Sequence, residues 1–132
     1  YAVNDAERLG DHAEEMIELR MLLNEGKLHI TSAGVEEINE LLILLDKLFK
    51  VIYDILEKRN LRRLDEAYVI ENTIDEQIAV YTEAHISRLD AGECDVQAGV
   101  IYLDALAHIE RMGDHLLNIA ERSHKVIQVL GS

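Results

Sequence analysis

The spacing of apolar side chains divides the chain into four amphipathic segments. In each segment the apolar positions recur three and four residues apart, which is the spacing of one face of an α-helix. The pattern therefore predicts helices over residues 4–24, 35–58, 64–89 and 96–130. The second segment is the most hydrophobic, and its wide apolar stripe consists of Ile38, Leu41, Leu42, Leu45, Leu48, Phe49, Ile52, Ile55 and Leu56.

Three short polar stretches separate these segments. NEGKLHITSAG, residues 24–34, contains Gly26 as a helix stop and Thr31 or Ser32 as the cap of the next helix. KRNLRR and DAGECD form the other two breaks. Because long helices with short connections pack as antiparallel neighbours, we predict an all-α, up-down antiparallel four-helix bundle. It would form a single domain over residues 1–132, with breaks near residues 25–34, 59–63 and 90–95.

Composition supports a helical fold and limits the classes of partner. The 132 residues include no proline and a single phenylalanine, which suits helices because proline interrupts their hydrogen-bond ladder. The 26 acidic and 13 basic residues give a net charge of −13. This charge repels nucleic-acid phosphates and anionic membranes. It favours metal cations and basic protein surfaces instead.

Hydropathy and cysteine content indicate in which cellular environment the protein is expected. The longest uninterrupted apolar run covers residues 41–45, which is too short to cross a bilayer, so we expect no membrane insertion of this chain. Cys94 is the only cysteine, so we expect neither an internal disulfide nor a thiolate zinc site, and a reducing compartment suits it. The chain begins without methionine and already in helical rhythm, and we interpret it as a fragment of a longer protein.

A six-residue motif occurs twice, near the start and near the end of the chain. ERLGDH occupies residues 7–12 and ERMGDH occupies residues 110–115. The similarity extends to the closing glutamates, Glu18 and Glu121. The repetition indicates either the duplication of one structural unit or two helices that need the same polar cluster.

Each copy of the motif carries a glutamate and an aspartate four residues apart, and ENTID, residues 71–75, carries a third such pair. On a helix this spacing offsets the two side chains by about 40°, so the carboxylates lie side by side and repel each other. The pairs in the third and fourth segments also fall on or beside the apolar seam. Acidic groups there are costly unless a cation, a proton or a basic partner neutralises them.

These pairs predict a site for a metal that prefers hard oxygen ligands. Mg²⁺, Ca²⁺, Mn²⁺ and iron fit that description, and zinc is a further candidate. The candidate ligands are Glu7, Asp11, Glu71, Asp75, Glu110 and Asp114.

The sequences ERLGDHAEEM and IERMGDHLLNIAE closely resemble the signature helix of PhoU proteins, the regulators of bacterial phosphate uptake, which carries an E-R-I-G-D core. That family consists of two three-helix units in tandem, with E(D)-x-x-x-D motifs on the second and third helices of each unit. By this resemblance, residues 1–25 correspond to the last helix of a truncated first unit and residues 35–132 to a complete second unit. The pairs Glu71/Asp75 and Glu110/Asp114 would then belong to one unit, whereas Glu7/Asp11 lacks its same-unit partner.

The resemblance implies a regulatory adaptor and not an enzyme, with iron or zinc bound through these motifs and no catalytic residues. Its expected partners are a membrane phosphate transporter, in cis or as a separate protein, and a sensor kinase. PhoU-like units also form the cytoplasmic C-terminal part of sodium/phosphate cotransporter-type proteins, and GDHxxNIAE, residues 113–121, is closer to those. We therefore expect a cytoplasmic location. Tethering to the inner face of the plasma membrane and homo-oligomerisation are both compatible with the resemblance.

Two alternatives belong to other functional classes. A carboxylate-bridged di-iron bundle needs a Glu-x-x-His motif on each of two helices, and the sequence contains one, at Glu121 and His124. A purely structural interaction bundle would leave the acidic pairs solvated and pack helix 35–58 against a partner. Metal content after purification without a chelator separates this last interpretation from a metal-binding regulator.

Overall fold

The structure is a computed structural model that describes residues 30–131 and, before them, positions 7, 10, 11, 13–15, 17, 18 and 21. Side chains are described as far as residue 125. Three long helices follow one another: α1 (Ser32–Lys58), α2 (Leu64–Asp90) and α3 (Val96–Gly131), with a short 3₁₀ helix at Leu61–Arg63. The described positions before residue 30 are also helical, and no described residue lies in a β-strand. The prediction of an all-α helical bundle is confirmed.

Helix α1 begins three residues earlier than the hydrophobic pattern predicts. The Thr31 side chain caps it, because its Oγ1 accepts a hydrogen bond from the Gly34 backbone N–H at 3.1 Å. A threonine in this position satisfies one of the N–H groups that lack a partner in the first turn. The break predicted over residues 25–34 therefore ends at Thr31, and residues 22–29 lie outside the described part of the chain.

The connection between α1 and α2 is a tight turn held by side chains. Arg59 ends α1 in the left-handed conformation, with φ of 53°. The Asn60 side chain accepts a hydrogen bond from the Arg62 backbone N–H at 3.3 Å. Arg63 then bridges the two helices by contacting Asp54 of α1 at 3.3 Å and Glu66 of α2 at 2.9 Å. This turn matches the predicted break at residues 59–63.

The turn between α2 and α3 matches the predicted break at residues 90–95. Gly92 adopts φ of +70°, a conformation that glycine reaches without steric cost. The Asp95 carboxylate accepts a hydrogen bond from the Ala98 backbone N–H at 3.2 Å, so Asp95 caps the first turn of α3.

Cross-helix contacts establish the helix directions. Glu37 near the start of α1 pairs with Arg88 near the end of α2, and Glu40 accepts a hydrogen bond from Tyr81. These two helices therefore run antiparallel. The Tyr102 hydroxyl near the start of α3 donates to Glu37 at 2.7 Å, so α1 and α3 run parallel, as an up-down order requires.

The core lies on the inner faces of the three long helices. Its buried residues follow the three-four spacing of the sequence, and each large aliphatic side chain removed from water contributes about 1.5–3 kcal/mol. The core consists of Leu41, Leu45, Leu48, Val51, Ile52, Ile55, Ala67, Ile74, Ile78, Tyr81, Tyr102, Leu106, Ile109, Leu116 and Ala120.

The N-terminal segment contacts α3 through its polar side. His108 Nε2 lies 2.7 Å from a Glu15 carboxylate oxygen, and Ala13 is half-buried. Ile17 and Met21 are 61% and 57% exposed. The predicted helix over residues 4–24 is therefore observed at its described positions only. Within the described part of the chain, none of the helices has the length and apolarity needed to traverse a membrane.

Candidate metal centre

Three of the predicted ligands meet where α2 faces α3. Glu71, Asp75 and Asp114 each offer one carboxylate oxygen, and these three oxygens lie within 4.8 Å of one another. Glu71 and Asp75 are one turn apart on α2, so they project from the same side of that helix. Asp114 approaches them from the antiparallel helix α3. The two helices together bring three carboxyl groups to one point.

Burial makes this concentration of charge costly. Glu71 and Asp75 are half-buried, and the Oδ1 atom of Asp75 is buried without a hydrogen-bond partner. A buried polar atom without a partner loses the free energy of its lost hydration. A cation placed among these oxygens would compensate for that loss.

The surroundings of the cluster raise the pKa of Glu71. Burial first, and then the neighbouring carboxyls of Asp114 and Asp75, together raise the pKa of its carboxyl to about 8. Desolvation and like charges both disfavour the ionised form. In the metal-free site near neutral pH, the Glu71 carboxyl therefore carries a proton, and this proton reduces the negative charge of the cluster.

Glu110 lies beside this group without being one of its three members. It is an exposed residue, yet partial burial of its carboxyl raises its pKa, as do the charges of Asp75 and Asp114, while Arg111 opposes the shift. Glu110 therefore belongs to the same electrostatic field as the other three.

The first copy of the repeated motif does not join this cluster. Glu7 and Asp11 are both exposed. Among the described residues they belong to no group of three or more potential metal ligands. Glu121 and His124, the pair that a di-iron bundle would use, also belong to no such group among the described residues. The six predicted ligands thus divide into a cluster of three, a neighbour, Glu110, and a separate exposed pair.

Close packing of α2 against α3 keeps the three carboxylates together. Ile74, next to Asp75, is fully buried. Gly113, next to Asp114, is also buried, and a Cβ atom there would lie 3.9 Å from Ile74 Cδ1. The residue before each aspartate therefore packs at the helix interface, which sets the two aspartates at its edge.

Sequence reasoning did not identify two further polar groups. The pKa of Tyr68 is raised by burial and then by the Glu121 carboxylate across the helix interface. Tyr68 shares the three-four row of Glu71 and Asp75, but the sequence does not show which residue faces it. A second group joins all three long helices, because Glu37 accepts hydrogen bonds from Arg88 at 2.7 Å and from Tyr102 at 2.7 Å. Only the register between helices identifies that group.

Comparison with known proteins identifies the family to which this helical chain belongs. The family model described as the PhoU domain matches residues 38–123, which include the three clustered carboxylates and Glu110. The chain is 26% identical over 121 residues to the Phosphate-specific transport system accessory protein PhoU homolog 1 of Thermotoga maritima. That match covers 89% of this chain and 50% of the relative, so the chain spans about half the length of the curated protein. No solved structure matches the chain significantly. Since the family model covers well over half of its residues, the chain belongs to the PhoU domain family.

Proposed function

We propose that this PhoU domain is a metal-binding regulatory part of a bacterial phosphate-uptake system and not an enzyme. Its family membership and its similarity to a protein named as an accessory of phosphate-specific transport support the regulatory role. The observation that carries the metal proposal is the meeting of Glu71, Asp75 and Asp114 at the interface between α2 and α3.

The chemistry of the cluster fits a metal ion. Its ligand atoms are all carboxylate oxygens, which suit hard cations and iron, and zinc also accepts carboxylate ligands. The unpartnered Oδ1 of Asp75 and the raised pKa of Glu71 both indicate a site that lacks positive charge. When bound, an ion would supply that charge. Glu71, Asp75 and Asp114 would hold it, with Glu110 next to them.

The regulatory consequence comes from the position of the ligands on two helices. When all three carboxyls are ionised and no metal is bound, they repel one another across the interface between α2 and α3. Neutralising that repulsion strengthens the contact of the two helices and fixes the surface that they present. Binding that depends on the state of this surface would transmit metal occupancy to a partner protein.

The wider context belongs to the same proposal. The partner would be a membrane phosphate transporter, as a separate protein or joined in cis as in sodium/phosphate cotransporter-type proteins, with a sensor kinase as a further partner. A cytoplasmic location follows from that arrangement. Because the curated relative is about twice as long as this chain, its accessory role is assigned here by proposal.

Metal binding is tested by elemental analysis and by calorimetric titration of the chelator-treated chain with Mn²⁺, Fe²⁺ or Zn²⁺. Asp75→Asn and Asp114→Asn should lower the bound stoichiometry. Glu76→Gln provides a matched control, because Glu76 is exposed on α2 next to Asp75 but outside the cluster. Binding that is unchanged in both aspartate variants would contradict the assignment of the site.

The exposed pair supplies a second comparison. Glu7→Gln combined with Asp11→Asn should leave the ion at the α2–α3 interface in place, because neither residue belongs to that cluster. Loss of all binding in this variant would show that the first copy of the motif holds the metal instead.

The regulatory role is tested in cells. The full-length protein that contains this domain, and its Asp75→Asn/Asp114→Asn form, are expressed in a bacterium that lacks its own PhoU protein. Phosphate uptake is then measured under phosphate-rich conditions. We expect the unmodified protein to restore normal control of uptake and the double variant to restore it incompletely. A rate of phosphate uptake that is the same with and without the protein would exclude a role in phosphate transport.

A further inference from the structure

A small cavity lies at the C-terminal end of α2, under the turn that leads into α3. His85 lies ten residues after Asp75, about 15 Å along the helix at 1.5 Å per residue, so the cavity is separate from the carboxylate cluster. Its walls include His85, Arg88, Cys94, Gly99 and Tyr102. Its volume is about 10 Å³. That is the lower limit of the space that one oxygen-sized group needs.

His85 lines this space, and one of its ring nitrogens has no hydrogen-bond partner. The residue is 3% exposed, and its Nε2 atom is buried without a hydrogen-bond partner. A Cβ atom at Gly99 would lie 2.9 Å from that nitrogen, so the imidazole edge occupies room that any other residue at position 99 would fill. Burial lowers the pKa of His85, and the nearby Arg88 guanidinium lowers it as well, against the opposing effect of Glu37. The imidazole is therefore neutral at pH 7.

Cys94 lies on the other side of the same gap. The hypothetical Gly99 Cβ that nearly touches His85 Nε2 is also 3.6 Å from Cys94 Sγ. The thiol is half-buried and donates a hydrogen bond to the Asp95 carbonyl at 3.5 Å. Arg88 also has a buried Nε atom without a partner. A single oxygen atom on Cys94 would enter a space where buried polar atoms still lack partners.

We propose that Cys94 is a modification site, where a hydroperoxide oxidises the thiol to a sulfenic acid whose oxygen occupies this cavity and bonds to His85. The thiolate sulfur attacks one peroxide oxygen, an S–O bond forms and the O–O bond breaks. The departing hydroxide takes up the proton that the thiol released when the thiolate formed, and becomes water. Sulfur loses two electrons and the peroxide gains them, so thiol and hydrogen peroxide yield sulfenic acid and water.

Two features make the sulfenic acid the end point of this reaction. Sulfenic acids are consumed by condensation with another thiol or by further oxidation. Cys94 is the only cysteine of the chain, so no disulfide can form within it. The cavity has room for one oxygen, and the sulfinic acid would need space for a second. The hydrogen bond to Nε2 stabilises the first product whichever tautomer His85 adopts, because a sulfenic oxygen can both donate and accept.

The test uses the chain treated with hydrogen peroxide and trapped with dimedone after increasing delays, with adducts measured by intact mass. Cys94→Ser is the control that shows how much of the added mass comes from oxidation of the three methionines. His85→Phe keeps a ring against Tyr102, whose centroid lies 4.8 Å from that of His85, but removes Nε2. We expect the sulfenic acid to persist about fivefold longer in the unmodified chain than in His85→Phe, the effect of one hydrogen bond. Equal lifetimes, or no dimedone adduct at Cys94, would overturn the proposal.

A second variant covers the case in which His85→Phe does not fold. Gly99→Ala places a methyl group 2.9 Å from Nε2 and 3.6 Å from Sγ. The first distance is too short for a van der Waals contact, so the methyl group displaces the edge of the His85 ring and takes up the space beside Sγ, while alanine favours the helix. Circular dichroism checks its fold. We expect less trapped sulfenic acid and more sulfinic product than in the unmodified chain. A folded Gly99→Ala protein that retains the full sulfenic yield and lifetime would likewise refute the role of the cavity.

Discussion

The protonation of Glu71 controls how the metal-free cluster responds to pH. Its pKa in the folded chain is about 8, raised by burial and by Asp114 and Asp75, whereas an unfolded glutamate titrates near 4.3. Because the folded state binds this proton more tightly, the contribution to stability is fully present below the unfolded pKa. It is lost as the pH rises through the folded pKa.

Replacing Glu71 with glutamine should remove this pH dependence. The neutral amide has nearly the same shape and needs no proton, so metal-free Glu71→Gln should exceed the unmodified chain in unfolding free energy at pH 9, by roughly 1–3 kcal/mol. At pH 5 the two should be nearly equal. Chemical denaturation at both pH values measures the difference. Glu76→Gln, on the exposed side of α2, should show no such gain, and a Glu71→Gln variant that is less stable at pH 9 would contradict the pKa assignment.

The residues of the site show where sequence reasoning stops. The four-residue spacing of Glu71 and Asp75 predicts that they share a helix face, and this holds because helix geometry alone determines it. The choice of Asp114 over Glu110 as the third member depends on how far α3 slides along α2. Packing of Ile74 against the backbone at Gly113 sets that register, and no local pattern in either helix encodes it.

The three long helices are joined at one end by the ion pair of Glu37 and Arg88. Both side chains are largely buried, at 15% and 13% exposure, and the Tyr102 hydroxyl completes the contact from α3. Removing one member of a buried ion pair leaves an uncompensated charge, whereas removing both members is far less costly.

This reasoning predicts a non-additive pair of substitutions. Arg88→Met should destabilise the chain by about 2–4 kcal/mol, because the Glu37 carboxylate would lose its cation. Glu37→Gln combined with Arg88→Met should recover part of that loss. Urea unfolding of the two single variants and the double variant measures the coupling energy. Strictly additive effects would mean that the pair contributes nothing specific to the joining of the helices.

The start of α1 offers a prediction at the level of a single element. The hydrophobic stripe predicts a start at Val35 because apolar periodicity begins there, but the cap formed by Thr31 extends the helix backwards to Ser32. Thr31→Ala should therefore cost about 1 kcal/mol, measured as a lower midpoint of urea unfolding. Thr31→Ser should retain most of the stability, and Ser32→Ala should be nearly neutral. An equal loss from Ser32→Ala would assign the cap to the wrong residue.

On the scale of the whole molecule, sequence patterns predict the bundle well because its helices are long, periodic and joined by short turns. The breaks at residues 59–63 and 90–95 follow from KRNLRR and DAGECD, where polar residues and Gly92 interrupt the apolar rhythm. The proximity of His85 on α2 to Cys94 in the following turn could not be predicted in the same way. Their proximity depends on the absence of a side chain at Gly99 and on the packing of two helices.

The net charge of −13 gives the whole molecule a dependence on salt. Self-repulsion destabilises a compact chain of this charge, and dissolved ions screen it. The melting temperature of the metal-free chain should therefore rise by a few degrees between low salt and about 0.5 M NaCl. A melting temperature that falls or stays constant over this range would show that self-repulsion is unimportant.

MnCl₂ at matched ionic strength separates general screening from specific binding. A ligand that binds only the folded state adds about 2.7 kcal/mol at one hundred times its dissociation constant. The shift in MnCl₂ should therefore exceed that in NaCl for the unmodified chain but not for Asp75→Asn/Asp114→Asn. Equal shifts in the two salts for the unmodified chain would favour a purely structural bundle.

The buried Oδ1 of Asp75 has a consequence for the rate at which an ion could leave. An ion held by ligands from both α2 and α3 would lose part of its ligand set when the two helices part locally, because Glu71 and Asp75 come from α2 and Asp114 comes from α3. Its residence time would then follow the opening rate of the helix pair, on the microsecond-to-second scale of local unfolding. A partner protein that separates α2 from α3 would increase the rate of ion release, and one that stabilises their contact would decrease it.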